Sequence, residues 1–121
     1  VGLIFKNNKL LIAKRKNKGL LGGLWELPGG KLKNKETFEQ CLEREVFEEL
    51  NIKIKIIKKI GFVKHHYSHF GINMYGFTCD IKSGKPKPLA SDAIKWINFE
   101  QINNYAFPKA TLKLFGLLND S

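Results

Sequence analysis

Apolar and polar positions divide the chain into short alternating runs separated by turn residues. Residues 1–5 (VGLIF) and 9–14 (KLLIAK) flank Lys6-Asn7-Asn8-Lys9, a pattern that predicts a β-hairpin. NKGLLGG (17–23) reads as a glycine-rich loop, followed by a short LWEL strand and a Pro28-Gly29-Gly30 turn. Ile52, Ile54 and Ile56 alternate along one strand, and Tyr75, Phe77, Cys79 and Ile81 share one face of the next. SGKPKPLASD (83–92) reads as a loop, and AIKWINF (93–99) as a further strand. Phe107-Pro108 opens a C-terminal helix, where proline suits the first turn.

Between the early and later strands the period changes from two to 3.6. Phe38, Leu42, Val46 and Leu50 form one apolar stripe. Thr37 as N-cap and Gln40 at N3 make a capping box, and Asn51 suits the left-handed position that ends the helix. Strands, helix, strands, helix predict an α/β (α+β) fold with a mixed β-sheet sandwiched between helices. Residues 1–121 read as a single domain without repeats or a linker. The start at Val1, inside a strand, points to the C-terminal domain of a longer protein.

Composition narrows the class. No apolar run approaches the roughly 20 residues that span a bilayer, and two cysteines make no disulfide framework, so a cytoplasmic protein without a membrane partner is expected. The formal net charge is +10, yet 19 of the 21 basic residues are lysines, and a solvated surface accounts for most of them. Such a charge favours polyanionic partners such as nucleotides or DNA without selecting one. His65, His66 and His69 lack companion ligands at zinc-like spacing.

Against this basic background, Glu36, Glu39, Glu43, Glu45, Glu48 and Glu49 crowd into 14 consecutive residues. Glu45, Glu48 and Glu49 fall at i, i+3 and i+4 on one arc of the helix, two of them near its C-terminal end. Like charges at that spacing repel, and the helix dipole disfavours them there. A hard divalent cation explains the arrangement, because Mg²⁺ takes oxygen ligands and keeps positions open for a phosphate-bearing substrate.

Gly30, then Glu36, then Arg44-Glu45-Val46-Phe47-Glu48-Glu49-Leu50-Asn51-Ile52 at fixed intervals resembles the Nudix box, with Asn51 where the family has glycine. The resemblance implies a Nudix fold and Mg²⁺ (or Mn²⁺) held by Glu45, Glu48 and Glu49 with the Gly29 carbonyl. Asp80 is the candidate for an added carboxylate from a later strand. It further implies that Arg44 orients Glu45 and that Gly30 and Glu36 support the box. Glu45, Glu48 and Arg44 would be catalytic, in hydrolysis of a nucleoside diphosphate linked to another moiety.

KHHYSHF (64–70) and NYAFPKATLKLF (104–115) resemble the C-terminal domain of the MutY family of adenine DNA glycosylases, which recognises 8-oxoguanine. That implies base or DNA recognition by Tyr67, Ser68, His69, Phe107 and Pro108, an N-terminal glycosylase domain in the parent chain, and DNA containing 8-oxoguanine as partner. The alternative is a free-standing pyrophosphohydrolase of the MutT type acting on a nucleoside triphosphate such as 8-oxo-dGTP. In that branch an asparagine reads the oxidised purine where this chain has Thr111.

Overall fold

The computed structural model describes residues 1–16 and 22–119. Most of the glycine-rich loop expected at 17–23 therefore lies outside the described residues. Strands β1 (Gly2–Lys6) and β2 (Lys9–Lys14) form the expected hairpin. Asn7 and Asn8 turn it with φ of 53° and 64°, positive values that asparagine tolerates. After β3 (Trp25–Glu26) comes α1 (Phe38–Leu50), then β4 (Lys53–His66), β5 (Gly71–Ser83) and β6 (Ala93–Asn98). A 3₁₀ turn (Phe99–Asn104) that sequence periodicity does not register leads to α2 (Lys109–Asn119).

The sheet runs β3-β2-β1-β5-β4, with β6 paired along β2. Among the described residues only β1 and β5 pair in parallel, with Ile4 opposite Cys79, and the other pairings are antiparallel, so the sheet is mixed as expected. Successive residues of β1 face opposite sides, and two cores result. Leu3 joins Leu10, Ile12, Phe107 and Leu114 beneath α2, while Ile4 joins Leu11, Leu42, Val46 and Phe77 beneath α1. The sheet is sandwiched between the two helices.

Helix α1 starts and stops where its caps require. Gln40 N–H donates to Thr37 Oγ1 at 3.0 Å, and Thr37 N–H donates to Gln40 Oε1 at 2.9 Å. Asn51 ends the helix at φ 58°, ψ 37°, its N–H bonded to the Phe47 carbonyl. The buried face differs from the expected stripe in one member. Cys41, Leu42, Val46 and Leu50 are buried, whereas Phe38 is 45% exposed. The Phe38 ring instead lies at the edge of that core, against Tyr75 of β5 with 4.4 Å between ring centroids.

Candidate active site

The turn after β3 brings the end of one strand to the side of α1. Gly2 N–H donates to the Pro28 carbonyl at 2.8 Å, holding the turn against β1. Gly29 takes φ +153°, and a Cβ there would come within 2.8 Å of the Val1 backbone. Gly30 has a different reason to be glycine: the space of its missing Cβ is filled by the Glu45 carboxyl group.

Arg44 organises the acids. Its Nε donates to Glu36 Oε2 at 2.6 Å and its Nη2 to Glu36 Oε1 at 3.0 Å, a two-point grip. Nη1 donates to Glu45 Oε1 at 2.7 Å and, more weakly, to Glu48 Oε2 at 3.4 Å. Nη2 also reaches the Lys31 carbonyl at 3.2 Å. One guanidinium thus ties the loop after Gly30 to α1 and fixes one oxygen of Glu45. The carboxylates raise the Arg44 pKa, so it stays charged.

Glu36 also accepts from Lys33 N–H at 2.8 Å. The Arg44 hydrogen bonds and that backbone donor hold its carboxyl at about 2. A carboxyl group depressed in the folded state stabilises the fold fully above its ordinary value of 4.5, and the contribution is lost as pH falls toward 2. Acid unfolding curves should therefore fall less steeply between those values for Glu36→Gln than for the parent. Equal slopes would show that this carboxylate does not couple to folding.

Glu49 has the opposite shift. Burial pushes its carboxyl well above the carboxylate range, the Glu45 side-chain hydrogen bond and the Glu26 and Glu45 charges add to this, and a Gly29 backbone hydrogen bond offsets part. Glu45, Glu49 and the exposed Glu48 border a crevice of about 380 Å³ with Arg15, Glu26, Gly29, Ala90 and Ser91. The loop before β6 closes one side, with Lys87 N–H bonded to the Leu50 carbonyl and Leu89 N–H to the Glu49 carbonyl.

Among the described residues no three acidic, histidine or cysteine side chains converge as they stand to hold a metal. As they stand, Glu45 and Glu48 both engage Arg44. The donor set nonetheless fits a hard divalent cation, because the carboxyl groups of Glu26, Glu45, Glu48 and Glu49 all line this crevice.

Asp80 is not brought to this cluster. Because β5 runs parallel to β1 with Cys79 opposite Ile4, Asp80 lies toward the other end of β1, in a hollow with Lys6, Asn7 and Asn8. The carboxylate that does face the crevice is Glu26, paired to Arg15 at 2.7 Å. Its sequence signal was a lone acid between Trp25 and Leu27 in the short strand that leads into the turn.

The residues linked to base recognition gather elsewhere. Tyr67 N–H bonds the Phe70 carbonyl at 2.7 Å, closing the turn between β4 and β5 with Ser68 and His69 exposed at its tip. The Tyr67 hydroxyl accepts from Ala110 N–H at 3.1 Å, satisfying a free donor in the first turn of α2. Phe107 is core, its ring edge-on to Phe115 at 5.2 Å; Pro108 is half-buried and Thr111 buried. Among the described residues lining this crevice and the larger one beside it, none comes from this group.

The architecture and the gripped glutamates meet one family model, the NUDIX domain, over residues 1–117. The chain belongs to the NUDIX domain family. It is a hydrolase, of a family whose members generally use a divalent metal. It is 32% identical over 108 residues to an 8-oxo-dGTP diphosphatase of Buchnera aphidicola subsp. Schizaphis graminum, covering 89% of this chain and 82% of that protein. It is 26% identical to the adenine DNA glycosylase of Rattus norvegicus over 92% of this chain, but only 22% of that protein. The solution structure of the E. coli ORF135 protein superposes with a TM-score of 0.81 at 25% identity, covering 98% of this chain and 85% of that one. Of the two readings drawn from the sequence, these similarities favour the nucleotide hydrolase over the glycosylase domain. Among the described residues no helix is long and apolar enough to cross a membrane.

Proposed function

We propose that this NUDIX domain is a pyrophosphohydrolase dependent on Mg²⁺ or Mn²⁺ that acts on a nucleoside triphosphate, with 8-oxo-dGTP the substrate to test first. The observation that carries the reading is the acidic crevice, where Arg44 fixes Glu45 beside Glu48 and Glu49. Similarity to an 8-oxo-dGTP diphosphatase along most of both chains supports the choice of substrate.

Glu45, Glu48 and Glu49, with the Gly29 carbonyl, would hold the cation, which when bound polarises phosphate oxygens and offsets charge developing on them. The chain's own residues perform the remaining tasks. Arg44 keeps one Glu45 oxygen engaged, and the close approach at Gly30 limits how far that carboxylate can swing. Glu45, which lines the crevice with one oxygen held by Arg44, is the acceptor we assign for the proton of an attacking water. Arg15 and Lys31 line the neighbouring space and supply positive charge for a phosphate chain.

Metal binding tests the ligand set without requiring turnover. Saturating Mg²⁺ or Mn²⁺ should raise Tm, since a ligand at 100 times its Kd stabilises the native state by about 2.7 kcal/mol. Glu48→Gln combined with Glu49→Gln should remove most of that shift. An undiminished shift in the double variant would place the cation elsewhere.

A second reading, the 8-oxoguanine-recognition domain of an adenine DNA glycosylase, keeps one observation in its favour. Ser68 and His69 are presented to solvent on a turn braced against α2 through Tyr67. Tighter binding of duplex DNA with 8-oxoguanine than without it, at one fixed salt concentration, tests that reading.

A further inference from the structure

Glu48 and Glu49 stand in the last turn of α1, the part of a helix that frays because its final carbonyls have no partner inside it. Asn51 N–H closes on the Phe47 carbonyl, but the carbonyls of Glu49 and Leu50 are satisfied from outside. The Glu49 carbonyl accepts from Leu89 N–H at 3.1 Å and that of Leu50 from Lys87 N–H at 3.0 Å. Both donors belong to the loop between β5 and β6. The loop reaches them because β4 follows α1 closely and pairs antiparallel with β5, Lys53 opposite Ser83, so β5 ends beside the end of the helix. Gly84 then turns the chain at φ +95°, so close that a Cβ would meet the Asn51 carbonyl oxygen at 3.0 Å and Ile52 Cα at 3.3 Å.

The sequence Lys85-Pro86-Lys87-Pro88-Leu89 suits this contact. Proline has no N–H, so Lys87 and Leu89 hold the two backbone donors of residues 86–89, and both donate to α1. Each proline also fixes its own φ near about −65° and biases the residue before it toward extended backbone, which stiffens the segment. Leu89 N–H is shared with the Lys87 carbonyl at 2.9 Å, a γ-turn centred on Pro88, whose ring presets the φ that the turn needs. The Leu89 side chain is 57% exposed and that of Lys87 is exposed too, so backbone bonds rather than side-chain burial hold the segment. Beyond it Ala90 and Ser91 line the acidic crevice, and Asp92 N–H donates to the Lys14 carbonyl at 3.0 Å. The loop therefore runs from the helix that carries the glutamates to the end of β2, next to Arg15.

We propose that Pro86, Pro88 and Leu89 are positioning residues: a stiff strap that caps α1 from outside and holds Glu48 and Glu49 in place for the divalent cation. The inference rests on the hydrolase reading for the identity of that ion. A last turn kept from fraying presents both carboxylates already ordered, so less is lost when the ion binds. The strap also satisfies carbonyls at the negative end of the helix dipole, where two carboxylates are otherwise disfavoured.

Calorimetric titration of the substrate-free protein with Mn²⁺ alone reads the strap. Leu89→Pro removes the donor to Glu49 and should weaken Mn²⁺ binding by about threefold to tenfold, the range that one hydrogen bond contributes. Leu89→Ala keeps the N–H and should bind as the parent does. Hydrolysis by Leu89→Pro should recover nearly to the parent rate at saturating Mn²⁺, whereas a partly unfolded sample would be slower at every concentration. Undiminished affinity in Leu89→Pro, or an equal loss in Leu89→Ala, overturns the proposal. If Leu89→Pro does not fold, Pro88→Gly keeps the donor but frees the turn, and it too should bind Mn²⁺ more weakly; parent-like affinity there overturns the strap.

Amide hydrogen exchange reads the same contact without metal. The amides of Glu48, Glu49 and Leu50 should exchange about threefold to tenfold faster in Leu89→Pro than in Leu89→Ala, while those of β1 stay unchanged. That response in a protein that binds no Mn²⁺ would uphold the strap while removing the hydrolase reading. Equal exchange in the two variants would overturn the strap.

Discussion

Glu45→Gln should lower the hydrolysis rate by about 10²–10⁴, the range that a positioned general acid or base contributes. The amide oxygen can still accept from Arg44 Nη1, so the 2.7 Å contact has a structural substitute. What disappears is a negative charge beside Glu49 and an acceptor for the proton of water. Arg44 keeps its two contacts with Glu36, so the join between loop and helix survives and Tm should move by only a few degrees. Comparable activity in Glu45→Gln would exclude this carboxylate from the chemistry.

Gly30→Ala should be nearly as damaging, although no catalytic group is removed. A Cβ at position 30 would lie 2.7 Å from Glu45 Cγ and closer still to the carboxyl atoms. The Gly30 backbone does not need a positive φ, so the expected effect is displacement of Glu45 rather than strain in the turn. Moving a catalytic group by about 1 Å can cost on the order of 10² in rate. Crowding typically destabilises a fold by about 1–3 kcal/mol, so the variant should remain folded at room temperature. Activity close to that of the parent would show that Glu45 works from a different position.

The distinction between these variants shows what the sequence could and could not disclose. Local rules were readable: Thr37 and Gln40 cap α1, Asn51 ends it in the left-handed region, and Asn7-Asn8 turns the first hairpin. Alternation was readable too: Ile52, Ile54 and Ile56, and Tyr75, Phe77, Cys79 and Ile81, meet in the core beneath α1, where Ile56, Tyr75 and Ile81 are only partly buried. The clustering of glutamates on one arc was equally visible, because helical spacing alone places them together.

Contacts that depend on how elements meet were less legible. The strand-end position of Asp80 suggested a ligand, but the parallel register of β1 and β5 carries it away from the crevice. Glu26 entered through the pairing of β3 with β2, where Glu26 sits opposite Ala13, and no periodicity reports such a pairing. Phe38 satisfied the 3.6 period, yet periodicity cannot tell whether a neighbour covers the first turn of a helix. The resemblance of Tyr67 and Phe107 to recognition residues likewise said nothing of their packing. One phenol oxygen accepts from the α2 backbone, and the Phe107 ring is buried against Phe115.

Product analysis on purified protein tests the central claim most directly. The protein is incubated with 8-oxo-dGTP, dGTP and the other common nucleoside triphosphates, each with Mg²⁺ and with chelator. The expected result is Mg²⁺-dependent conversion to the nucleoside monophosphate and pyrophosphate, with a higher kcat/KM for 8-oxo-dGTP than for dGTP. Turnover that is indifferent to chelation, or no turnover of any nucleoside triphosphate, would contradict the assignment of this site.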